Sequence, residues 1–123
     1  MSQFLDLLLK AELPNMQKSL PEGTFEVPRL SEAAGTPVRF ALKGLPYGRV
    51  AELREVETDS QVHILLAGCP ELKDPALQEK FDAATPAEAV KALLLPGEID
   101  DLSREVEKLC GYRRRTIQEV KNA

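Results

Sequence analysis

The chain has 123 residues, a formal net charge of −4, 43% apolar and 29% charged residues, and no tryptophan. That balance fits one folded domain with a core of Leu, Val, Ala and Ile rather than a disordered chain, and it argues against a phosphate-binding surface as the main purpose. No run is long enough to span a membrane, and the apolar stretch from Phe4 to Leu9 is broken by Asp6 with no basic region before it, unlike a secretory leader.

Ser2 is placed to cap an amino-terminal helix through about Leu13, with Phe4, Leu5, Leu8 and Leu9 on one apolar side and Pro14 as its stop. Residues 14–23 hold two prolines and a glycine and read as a linker. The helix within 1–13 is therefore expected to be loosely tethered, free to dock on its own domain, a neighbouring copy or a partner. A single α+β domain is expected over 24–123.

That domain begins with a hairpin over about 24–43. Phe25, Val27 and Leu30 form its first strand, with Pro28 suggesting an edge or a strand end. The stretch 31–36, with Gly35, is a turn. Val38, Phe40 and Leu42 then alternate with Arg39, Ala41 and Lys43, the pattern of a half-buried strand. A lone hairpin is marginal in water, so this one must pack on helices or pair with another chain.

Helices are expected over about 46–122. Pro46 opens one that carries Val50, Leu53 and Val56 on one face. The stretch 60–68 reads as a buried helix, although Val62, Ile64 and Leu66 would also alternate as a strand. Asp74-Pro75 starts a short helix through about Phe81. Thr85-Pro86-Ala87-Glu88 is a capping box with proline in the first turn, opening a helix to Leu94 with Val90, Leu93 and Leu94 inward.

The stretch 93–112, LLLPGEIDDLSREVEKLCGY, carries the densest punctuation. Pro96 fits only the first turn of a helix, and Glu98 and Asp100 place negative charge at its amino end. Ile99, Leu102, Val106 and Leu109 share one face, Gly111 is a left-handed stop, and Tyr112 is the apolar contact beyond it. A last short helix is expected over 113–122, with Ile117 and Val120 inward. The fold class is α+β: a small β-hairpin in the amino-terminal half packed on a mainly α-helical carboxy-terminal part.

Little here resembles catalytic chemistry. His63 is the lone histidine and sits in an apolar stretch, as a core or boundary histidine does. Cys69 and Cys110 have no metal or redox spacing and read as reduced, partly buried thiols. The acidic cluster of Glu98, Asp100 and Asp101 is explained by a helix start without a metal. Neither a catalytic residue, a metal nor a cofactor is expected, and an enzyme is not. Arg113, Arg114 and Arg115 read as a solvated boundary before a helix, or as an anchor for an acidic partner segment.

Three segments carry a resemblance: LLAGCPELKDPALQEKF, TPAEAVKALLLPGEIDDLSREVEKLCGY and the ending EVKN. Through them the chain resembles the XkdN-like phage tail assembly chaperones of contractile-tailed phages and PBSX-like defective prophages. The match is strong after about Leu65. Before it, LLLKAELP and RLSEAAGTPVRFALKGL are similar but less specific. Cys110 stands where a small polar residue is expected, and the stretch 57–61 is compact.

The resemblance implies an assembly factor of the bacterial host cytoplasm that is left out of the mature virion. Its implied partners are the tape measure protein, which it keeps soluble, and the tail tube subunits that polymerise around that protein. Many such families also make a longer form by frameshifting, and an end soon after Lys121 is what the short form would show. The expected mode is helix-in-groove. Phe4, Leu5, Leu8 and Leu9 would supply the apolar contact, and Arg113, Arg114 and Arg115 a polar rim. A homo-oligomer is possible on free strand edges or a swapped first helix. No nucleic acid or membrane partner is expected. The alternatives are a small DNA-binding regulator, because short helices with tight turns imitate a helix-turn-helix, and a structural tail component. Against the first, the candidate recognition helices are apolar or acidic.

Overall fold

Proline starts and glycine stops set most of the architecture, described for residues 2–121 in a computed structural model. Helix α1 (Gln3–Leu8) is capped by the Ser2 hydroxyl, which accepts from the Leu5 N–H at 3.2 Å. After a stretch with isolated turns come strand β1 (Glu22–Glu26), helix α2 (Pro28–Ala34) and strand β2 (Arg39–Lys43). Then follow α3 (Tyr47–Arg54), α4 (Ser60–Gly68), a 3-10 turn over Pro70–Lys73, α5 (Pro75–Lys80), α6 (Pro86–Leu93) and α7 (Pro96–Leu109).

The two strands pair antiparallel, with Phe25 opposite Phe40 and Gly23 opposite Leu42. The expected hairpin is therefore present, but its connection is a helix rather than a turn. Leu30 belongs to α2, not to the first strand. Pro28 occupies the first turn of α2 and Gly35 closes it at φ +75°, its N–H donating to the Ser31 carbonyl. The Ser31 hydroxyl also accepts from the Val38 N–H at 2.8 Å, which fixes the approach to β2.

The core lies where β2, α4 and α7 meet. Phe40 and Leu42 point inward from β2, while Arg39, Ala41 and Lys43 face solvent. From α4 come Val62, Ile64, Leu65 and Leu66, and from α7 come Ile99, Leu102 and Val106. Each such side chain, taken fully out of water, contributes about 1.5–3 kcal/mol before chain entropy is counted. Gly68 permits the closest approach of α4 to α7: a Cβ there would sit 2.6 Å from a Val106 methyl. Val90 and Leu94, at the end of α6, complete the packing.

The segment 60–68 is thus a helix, and its apolar residues point to several sides because neighbours surround it. The expected helices at 75–81, 86–94 and 96–109 are present within a residue of their predicted ends. Three further expectations are corrected. Helix α1 ends at Leu8, well short of Leu13 and Pro14, because it buries nothing and six residues have little intrinsic stability. Val56 lies beyond α3 and is exposed. No helix forms over 113–121, where Ile117 and Val120 are 76% and 72% exposed rather than inward; Asn122 lies outside the described residues.

Candidate partner-binding surface

Helix α1 buries none of its residues. Phe4 and Leu9 are each 68% exposed, and Leu5, Leu7 and Leu8 are also open to solvent. Further along the same segment Leu13 and Met16 are exposed too. Scattered apolar residues are ordinary on a protein surface, and a run of this density on one short helix is a candidate contact surface. The structure thus leaves all four apolar residues named from sequence accessible, and it adds Leu7, which the one-sided helical pattern passed over.

The three arginines have separate engagements. Arg113 adopts φ +61° and its Nε donates to Glu107 Oε1 at 2.9 Å. Arg114 Nε donates to the Lys108 carbonyl at 2.9 Å, satisfying the end of α7. Arg115 Nε donates to the Ile117 carbonyl at 3.0 Å. Arg114 and Thr116 border a groove of about 480 Å³ with Met16, Leu20 and Pro21 of the linker and Leu45, Leu109 and Cys110 of the core.

Glu107 is the centre of an ionic cluster that the helical pattern of α7 concealed. Its side chain is 3% exposed and lies between Arg113 and Arg54, the latter at 3.2 Å from Oε2. The Arg54 guanidinium in turn stacks 4.0 Å over the Tyr112 ring. Tyr112 folds back as expected, its N–H donating to the Glu107 carbonyl at 2.9 Å and its ring packing on the core, after Gly111 turns the chain at φ +93°.

Arg29 was equally unmarked in the sequence and pins the junction between α6 and α7. Its guanidinium makes a two-point pair with Glu98 at 2.9 and 2.8 Å, and donates to the Leu93 carbonyl at 2.9 Å. Glu98 also accepts from the Leu95 N–H at 2.8 Å, the reciprocal half of a capping box. The hydrogen bond from Arg29, helped by that backbone N–H and against some desolvation, holds the Glu98 carboxyl below its usual range. The Leu93–Tyr112 stretch is accordingly a structural joint.

Both thiols are unpaired among the described residues. Burial is the main cause that pushes Cys69 and Cys110 up, so each is held as the neutral thiol. Cys110 Sγ accepts from the Leu45 N–H at 3.2 Å. His63 is half-buried on α4. Among the described residues no group of three or more His, Cys, Asp or Glu is arranged to hold a metal, and no helix is long and apolar enough to cross a membrane.

Comparison with known proteins agrees with this arrangement. The fold is similar to that of the crystal structure of the protein YqbN, with a TM-score of 0.59 over 84% of this chain and 99% of that chain; at 21% identity the likeness concerns fold alone. No curated protein matches the chain. The family model for the phage XkdN-like tail assembly chaperone protein matches residues 57–123, from the approach to α4 through the whole of α7 and beyond. Since that match spans more than half the sequence, the protein belongs to the XkdN-like family of phage tail assembly chaperones.

Proposed function

We propose that this protein binds the tape measure protein, keeps it soluble in the host cytoplasm, promotes assembly of tail tube subunits around it, and is absent from the finished virion. Family membership gives the general role in tail assembly, with protein partners. The observation that supports the finer reading is α1, a tethered helix whose apolar residues are all exposed. A holding chaperone needs such a surface: apolar enough to cover a partner's apolar stripe, and small enough to remain soluble alone.

In this reading Phe4, Leu5, Leu8 and Leu9 make the apolar contact, and the stretch between α1 and β1 lets α1 follow a partner whose shape changes during assembly. Arg113, Arg114 and Arg115, each held by an intrachain hydrogen bond, supply the polar rim of that contact. The test is co-expression with a tape measure fragment that is insoluble by itself. The full chain is expected to bring the fragment into the soluble fraction. Leu5→Asp with Leu8→Asp, or deletion of residues 1–12, is expected to remove most of that gain while the rest of the fold is retained. A fragment equally insoluble with and without the full chain disproves the reading. Mass spectrometry of purified virions checks that the protein is absent.

A further inference from the structure

Among the described residues strand β2 pairs with β1 along one edge, and no strand pairs with the other. The Val27 N–H donates to the Val38 carbonyl at 3.4 Å and the Gly44 N–H to the Pro21 carbonyl at 2.8 Å. These pairs continue the register that sets Phe25 opposite Phe40 and Gly23 opposite Leu42. In an antiparallel ladder such positions turn their backbone groups toward the partner strand, and the residues between them turn theirs away. The N–H and C=O groups of Arg39, Ala41 and Lys43 therefore point away from β1. At Lys43 that side is closed by α4, since a Cβ on Gly68 would lie 3.1 Å from the Lys43 carbonyl oxygen. At Arg39 and Ala41 no backbone group outside the sheet bonds to them among the described residues.

Beside this open stretch lies a groove of about 250 Å³, where Val38 and Phe40 meet Cys69, Leu72 and Leu77. Open backbone groups next to an apolar trough are what an added strand requires. The ladder supplies its hydrogen bonds, and the trough receives every second side chain. The alternate side chains stand on the solvent face beside Arg39. The Arg39 side chain is 64% exposed and lies 3.9 Å from Glu26, while Lys43 on the same face has no ion-pair partner among the described residues. These cations select the occupant. A second copy pairing antiparallel through β2 about Ala41 would set Arg39 against Lys43, and like charges directly opposite are destabilising. Strand β1 does carry acidic residues, but its Phe25 is already packed on its own core and cannot fill the trough of a neighbour.

We propose that the open edge of β2 takes an extended segment of a different protein as a third strand, one in which apolar and acidic residues alternate. Its backbone exchanges hydrogen bonds with Arg39 and Ala41. An apolar side chain enters the trough beside Phe40 and Leu72, and an acidic one on the solvent face meets Arg39. The charges then serve twice: they keep the edge from pairing with its own kind, and they admit an acidic strand. Helix α1 and this edge are separate surfaces that take partners of different shape, so neither contact depends on the other.

The test titrates the peptide acetyl-Glu-Val-Glu-Val-Glu-amide into the isotopically labelled full chain and follows each backbone amide by NMR. Saturable shifts are expected at the Arg39 and Ala41 amides. Two further peptides carry N-methyl groups, one on its glutamate nitrogens and the other on its valine nitrogens. In a bound strand one set faces the edge and the other faces solvent. One methylated peptide is therefore expected to lose about tenfold or more in affinity, and the other to bind as the parent does. Arg39→Glu, at an exposed position where circular dichroism verifies the fold, is expected to weaken the parent peptide about tenfold. The same variant is expected to gain affinity for acetyl-Lys-Val-Lys-Val-Lys-amide, which the unaltered chain refuses. Absence of shifts at Arg39 and Ala41 with millimolar peptide overturns the proposal. So do equal affinities for the two methylated peptides, which would mean charge attraction without a strand, or an increase in protein mass showing that the edge pairs with another copy.

Discussion

Glu107 shows how a single residue can carry more than its place in a helical pattern suggests. A carboxylate removed from water is tolerated only when cations and hydrogen bonds replace its hydration. Arg54 reaches it from α3 and Arg113 from beyond α7, so one side chain ties three segments together. Replacing it by glutamine keeps the shape and removes the charge, leaving two guanidinium groups facing each other. Because both arginines are half exposed and remain hydrated, the expected loss is about 1–3 kcal/mol, below that for a fully buried pair. Urea denaturation of Glu107→Gln measures it, and unchanged stability contradicts the assignment. From sequence, Ile99, Leu102, Val106 and Leu109 define the inner face of α7. Ser103 and Glu107 each follow a core residue by one position and are buried as well. Their polarity hid them, although their four-residue spacing is that of one helical face.

At the scale of elements, the joint between α2 and α7 is set by Arg29 and Glu98. The folded state holds Glu98 below its ordinary pKa, chiefly through the Arg29 hydrogen bond. The stability this pair contributes is therefore complete above the unfolded value of about 4.3 and is lost as pH falls through the lower folded value. Arg29→Ala is expected to be less stable than the parent at pH 7 and pH 5, with the difference closing in more acidic solution. Thermal unfolding at several pH values reads this, and a difference that widens on acidification would refute it. Helix starts marked by proline were legible at Pro75, Pro86 and Pro96. The same device at Pro28 was not, since the alternation of Phe25 and Val27 made a strand continuing to Leu30 the simpler pattern. Periodicity alone cannot reveal that Gly35 closes a seven-residue helix instead of a turn. The segment after Gly111 failed in the other direction. Its helical spacing is genuine, but no neighbouring surface in the chain receives it.

For the whole molecule, what the sequence disclosed well is the part that folds against itself. The α+β class and the punctuated run to Tyr112 follow from proline, glycine and apolar spacing, because those features act locally, whereas the spacing over 60–68 also allowed a strand. The candidate contact surfaces were legible only as apolar residues without an assigned neighbour. Whether Phe4 or Ile117 is covered depends on the rest of the fold, and the structure leaves both exposed. Most exposed large apolar groups therefore lie toward the two ends of the described chain, with Tyr47, Val56 and Leu95 the exceptions between them.

Cys110 turns that division into a clock. Its sulfur sits under the carboxy-terminal end, held by Leu45 and bordering the groove with Arg114 and Thr116, whereas Cys69 lies in the core. Covalent labelling of each thiol must wait for its own cover to open. In native buffer Cys110 is expected to label first, at a rate nearly insensitive to dilute urea, and Cys69 only with the cooperative loss of the whole fold. Peptide-level mass spectrometry resolves the two rates. Equal rates would mean that the carboxy-terminal end and the core open as one unit, so that releasing a partner there would cost the chaperone its fold.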